Sequence, residues 1–154
     1  MSLGNAFPAE FARTQIERQL KPGSVLKFLA RMDDGKIHEK RFIVLNINEK
    51  TFTCVINSKI SPLLARNQNA AICQVSIAVD SHDFMERDSH VDCSRVRSYD
   101  TSDVIDQLCK NPKWILGEIT EVLKNEISAG LKASKTVPIA VARQCCESLL
   151  VSKL

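Results

Sequence analysis

Two short groups of residues in this chain carry side chains suited to holding a phosphate. The first is Lys36, His38, Lys40 and Arg41, set between an Asp33-Asp34-Gly35 turn signal and the apolar run Phe42-Ile43-Val44-Leu45. The second is Asn57, Ser58 and Lys59, which follow the run Thr51–Ile56. An arginine fork grips a phosphate through paired hydrogen bonds and stabilises charge that builds on it. A hydroxyl or amide beside it positions the same group, and a histidine exchanges protons near neutral pH. Arg41, Ser58 and His38 are therefore the candidate catalytic residues. Lys36, Lys40, Asn57 and Lys59 are candidate contacts to an RNA backbone. Cleavage of RNA by its own 2′-hydroxyl needs little more than a base, a charge stabiliser and a proton donor.

These groups meet only if the chain between them forms a hairpin. Arg41–Asn48 reads as a core strand, Asn48-Glu49-Lys50 reverses the chain, and Thr51–Ile56 returns beside it. Pairing then brings Arg41 and Ser58 to the same open end. Around the hairpin the pattern predicts a helix over Pro8–Leu20, a strand over Ser24–Ala30 and a tight turn at Asp33–Lys36. A loop over Asn57–Asn69, including Ser61-Pro62, precedes strands over Ala71–Val79 and His90–Val96. Five strands closed by tight turns suit a small barrel or a strongly coiled sheet. Its core is expected to draw on Phe42, Val44, Phe52, Cys54, Val75 and Ile77.

From Tyr99 the pattern turns helical. Thr101 or Ser102 can cap a helix running to about Cys109, and Asn111-Pro112 ends it. Thr120 can cap a second helix with Val122, Leu123, Ile127 and Leu131 at helical spacing. Thr136 and Pro138 open a third through Leu150. The apolar faces of the last two helices exceed what a small barrel needs, which predicts a symmetric dimer.

Other chemistries are poorly represented. The chain has no glycine-rich phosphate loop, nucleophile elbow or H-E-x-x-H motif. His82, Asp83, Asp88, His90, Asp92 and Cys93 include metal-ligand types, but not at the spacing of a site, so no metal and no cofactor is expected. Six cysteines without a C-x-x-C pair read as reduced, mostly buried thiols. The start lacks a signal-peptide pattern and no apolar stretch approaches membrane-spanning length, which predicts a cytoplasmic protein without a membrane partner. The formal charge of +3 is uneven: residues 1–80 carry 11 Lys/Arg against 7 Asp/Glu, and residues 81–154 carry 10 against 11. That asymmetry permits a polyanion-facing surface on the first half.

Several stretches resemble the MazF/PemK-like toxins, the SH3-like barrel ribonucleases of toxin–antitoxin systems. K21-P-G-S-V-L-K-F looks like the family's opening strand, K40-R-F-I-V-L-N like its arginine-led strand, and T53-C-V-I-N-S like the strand ending in a Thr-Ser type pair. D92-C-S-R-V-R-S-Y-D and I115-L-G-E-I-T-E-V-L resemble its late strand and following helix. The resemblance implies one domain over residues 1–154, mainly β with added helices. A small SH3-like antiparallel barrel would span about residues 21–98, a helix about residues 8–20 and a helical part about residues 101–152. It also implies a metal-independent endoribonuclease acting on single-stranded RNA, a homodimer and an antitoxin partner. Arg41 would match the family's phosphate-contacting arginine, Ser58 or Asn57 its hydroxyl position, and His38 its active-site loop. Phe42 stands where the family has proline, and Asn57-Ser58 where it has Thr-Ser. The alternative expectation is a non-catalytic module of the same barrel type that binds a protein partner.

Overall fold

The Asp-Gly turn and the two apolar runs produce the expected hairpins. In a computed structural model, which describes residues 3–60 and 62–151, β1 (Ser24–Arg31) turns back into β2 (Ile37–Ile47). Gly35 takes φ +78° in that turn, a backbone conformation that side chains with a Cβ disfavour. β3 (Lys50–Asn57) pairs antiparallel with β2, placing Arg41 opposite Ile56 and Ile43 opposite Cys54.

Ahead of these strands lies α1 (Leu3–Gln19). The expected loop after β3 contains two short helices, α2 (Pro62–Arg66) and α3 (Gln68–Ala71); Ser61 lies outside the described residues. Asn67 starts α3 by accepting hydrogen bonds from the Asn69 and Ala70 amides. β4 (Gln74–Ile77), β5 (Ser89–Asp92) and β6 (Arg97–Asp100) follow, and β6 runs straight into α4 (Thr101–Lys110). A single 3-10 turn, Pro112–Trp114, leads to β7 (Ile115–Glu118), then α5 (Glu121–Ala133) and α6 (Ile139–Val151). Thr120 caps α5 as expected, accepting from the Leu123 amide. Residue 152, assigned above to the helical part, lies outside the described residues. Among those residues, no helix is long and apolar enough to cross a membrane.

The expected SH3-like barrel is not what forms, and the chain is mixed α/β rather than mainly β. Seven strands make one open antiparallel sheet in the order β4-β5-β3-β2-β1-β7, with β6 beside the first half of β3. The ends of that order, β4 and β7, are not paired. The β1 edge shows why closure fails. β7 pairs with it only over Ser24–Leu26, and farther along a side chain takes the place of a strand. The Gln107 amide of α4 accepts from the Leu29 N–H at 2.8 Å and donates to the Leu29 carbonyl at 3.0 Å. A strand edge satisfied and covered in this way is not available for pairing. The sheet is nonetheless strongly coiled: Phe28 of β1 meets Tyr99 of β6 edge-on at 5.2 Å across unpaired strands.

Burial explains the architecture. A small closed barrel has one interior, whereas here neighbouring residues of β2 are buried on opposite faces. Ile43 and Leu45 join Val25, Cys54, Val75 and Ile77 beneath α5 and α6. Phe42 and Val44 join Leu26, Phe28 and Val55 beneath α1 and α4. The six residues expected to share one core are therefore divided. Phe42 and Val44 lie on one face, while Cys54, Val75, Ile77 and the partly buried Phe52 lie on the other. The resemblance to MazF/PemK-like toxins rests on a closed barrel and does not survive this topology. The toxin–antitoxin and endoribonuclease expectations rest on that barrel and lose its support.

Candidate functional site

Alternation along β2 decides which candidate residues meet. Arg41 shares a face with Ile43, while His38 and Lys40 share the opposite face with Phe42. Ser58 lies one residue past the end of β3, just beyond Ile56, which pairs with Arg41. Arg41 and Ser58 consequently line one cleft of about 280 Å³, together with Lys40, Glu86, Arg87 and Ser89.

The connection between β4 and β5 forms the other wall and fixes the arginine. Arg41 Nη1 donates to the Phe84 carbonyl at 3.0 Å, and Nη2 lies 3.0 Å from the Glu86 carboxylate. The Arg41 side chain is 22% exposed, against 70% for Glu86. An enclosed, oriented guanidinium thus faces an acid that solvent can draw away.

The remaining candidates separate into two places. Lys40 Nζ donates to Asn57 Oδ1 at 3.0 Å, bracing the end of the hairpin. Lys36 and His38 belong instead to the β1–β2 turn. The Lys36 amide donates to Asp34 Oδ1 at 2.9 Å, and His38 Nε2 lies 2.7 Å from Asp34 Oδ2. Asp34 is held below the usual carboxylate range by the Lys36 amide and then by His38. His38 is therefore not brought to Arg41 and Ser58. Lys59 is exposed just beyond Ser58.

Sequence reasoning missed Arg87 and Glu86, which lie between the predicted strands Ala71–Val79 and His90–Val96. Their charge was visible, but only the folded connection brings them beside Arg41. Among the described residues, no group of three or more His, Cys, Asp and Glu side chains is placed to hold a metal. His82 is structural. Its Nε2 accepts from the Thr120 amide at 3.1 Å, so its Nδ1 carries the proton toward Ser81 Oγ at 2.7 Å. Burial lowers its pKa and favours that neutral form. The six cysteines are free thiols, Cys109 half-buried and the others buried. Burial pushes Cys145 up to about 12, which makes it a poor nucleophile. Neither protein-family models nor curated proteins give a match to this chain.

Proposed function

We propose that the chain binds single-stranded RNA, holding a backbone phosphate in the cleft shared by Arg41 and Ser58. The observation that carries this reading is the position of Arg41, enclosed and aimed beside a hydroxyl and one further cation, Arg87. A phosphate displaces the exposed Glu86 carboxylate and takes its hydrogen bond from the guanidinium. The Ser58 hydroxyl then supplies a neutral donor, and Arg87 adds charge. Because His38 stands on the opposite face of β2, bonded to Asp34, the reading is one of binding. Fluorescence anisotropy with a labelled mixed-sequence RNA tests it. Arg41→Ala should weaken binding roughly tenfold while circular dichroism is unchanged. Equal affinity of wild type and variant would refute the role of this cleft. Strand scission with 2′,3′-cyclic phosphate ends in the same mixtures would refute the restriction to binding.

We also infer that α6 pairs with a second copy of the chain. The groove between α5 and α6, about 860 Å³, is lined by Leu131, Val137, Ile139 and Leu150, with Arg143 and Glu147 on its rim. Ile139 is 78% exposed. Arg143 and Glu147 stand one turn apart, and among the described residues neither has an ion-pair partner. An antiparallel two-fold about their midpoint sets Arg143 of each copy opposite Glu147 of the other and Ile139 near Leu150. Sedimentation should show a dimer that Arg143→Glu dissociates and the double exchange Arg143→Glu/Glu147→Arg restores. A monomeric wild type, or a double exchange that restores nothing, would contradict this surface.

A further inference from the structure

A second concentration of arginines lies where the β1–β2 turn approaches β6. Arg31, Arg95 and Arg97 line a cavity of about 240 Å³ beside Tyr99. Two of these arginines already hold an anion that belongs to the chain itself, Asp33. Arg95 Nη1 donates to Asp33 Oδ1 at 2.5 Å, and Arg97 Nη2 donates to both Asp33 oxygens at 3.1 Å. Arg31 donates to the Gly35 carbonyl and so belongs to the same turn.

Asp33 is an incomplete match for this setting. Two guanidinium groups, those of Arg95 and Arg97, share one carboxylate, which offers a single negative charge and two acceptor oxygens. The Arg97 side chain is only 12% exposed, and among the described residues its Nε is buried without a hydrogen-bond partner. Burial works against the Asp33 charge, yet Arg97 and Arg95 together hold its carboxyl below the usual range. Asp33 itself is 65% exposed on a turn and can leave without disturbing a core. A phosphate monoester carries up to two charges and three terminal oxygens, which suits a fork of arginines better than one carboxylate does.

The arginine cavity is not isolated. Arg95 and Val96 also line a larger cleft of about 670 Å³, whose walls include Asp33, Phe52, Val137 and Val141. The Asp33–Arg95 pair thus stands where a charged end and an apolar chamber meet. Phe52 offers the chamber a ring against which a flat group can stack.

We propose that the two cavities form one binding site for a nucleoside monophosphate. The phosphate replaces Asp33 on Arg95 and Arg97, and the base enters the apolar chamber beside Phe52. Asp33 is then a built-in competitor that occupies the anion position while the ligand is absent. The site uses none of the side chains that line the Arg41 cleft, so the RNA reading and this one stand or fall separately.

Titration calorimetry on the full chain tests the site, with adenosine monophosphate as probe and inorganic phosphate and adenosine as separate arms. Asp33→Asn should bind adenosine monophosphate roughly tenfold tighter than wild type, because the charged competitor is gone. Arg95→Ala should bind it roughly tenfold more weakly. Melting temperatures of the unliganded variants establish that each is folded, and the Asp33→Asn arm decides even if Arg95→Ala is not. Phosphate and adenosine should each bind more weakly than the monophosphate. An Asp33→Asn affinity no greater than wild type would overturn the site. Adenosine binding as tightly as the monophosphate would remove the role of the arginines, and phosphate binding as tightly would remove that of the chamber. Either result overturns the two-part proposal.

Discussion

The Arg41 guanidinium lies 3.0 Å from the carboxylate of Glu86, a residue from the far wall of the same cleft. The pair joins an enclosed cation to an exposed acid, so the two side chains face different costs on separation. Glu86 gains full hydration when it leaves, whereas Arg41 stays anchored to the Phe84 carbonyl.

From that asymmetry, Glu86→Gln should strengthen RNA binding severalfold. The substitution keeps the shape and a weaker hydrogen bond but removes the charge that competes with phosphate. Surface ion pairs contribute on the order of 0–1 kcal/mol, which sets the scale of the gain. Anisotropy titration reads it directly. Weaker binding by Glu86→Gln would instead mean that the acid positions Arg41 for its ligand.

The two-faced burial of β2 makes a separate prediction about the fold. Phe42 and Ile43 are neighbours in sequence, both fully buried, and packed under different helices. Phe42→Ala and Ile43→Ala should therefore each cost on the order of 2–5 kcal/mol of stability. Urea unfolding measures both. A sheet with only one buried face would lose stability through one of them and leave the other nearly neutral.

The same pair shows where the sequence ceased to be informative. Phe42-Ile43-Val44-Leu45 is readable as a core strand, and the Asp34-Gly35 turn and Thr120 cap are where their chemistry places them. Yet a continuous apolar run does not reveal what covers each face, because that depends on helices distant in the chain. β7 is illegible in the sequence for a related reason. Its four residues, Ile115–Glu118, have little strand signal of their own and are held by pairing with Ser24–Leu26. β6 is similarly polar and is fixed by Lys50–Thr53. For the cleft, hairpin register in the sequence predicts that Arg41 and Ser58 meet, whereas period-two alternation along β2 sets His38 on the opposite face.

The contact between His82 and α5 should be sensitive to acid. His82 Nε2 must be unprotonated to accept from the Thr120 amide, and burial lowers its pKa below the ordinary 6.5. The unfolded chain therefore takes up this proton first as pH falls. The stabilisation is complete above pH 6.5 and is lost progressively as pH drops toward the lower folded value. Urea midpoints of wild type and His82→Gln should differ most at about pH 7.5 and converge as pH falls through the lowered folded-state value. A constant difference across that range would show that protonation of His82 is not involved.

The salt dependence of RNA binding tests the central claim most directly. Each phosphate neutralised on a single strand contributes about 0.7 to the slope of log affinity against log salt. If Arg41 holds a backbone phosphate, Arg41→Ala should bind more weakly and with a slope shallower by about 0.7 than that of wild type. Unchanged affinity and slope, or a wild-type chain that binds no RNA at low salt, would contradict the account.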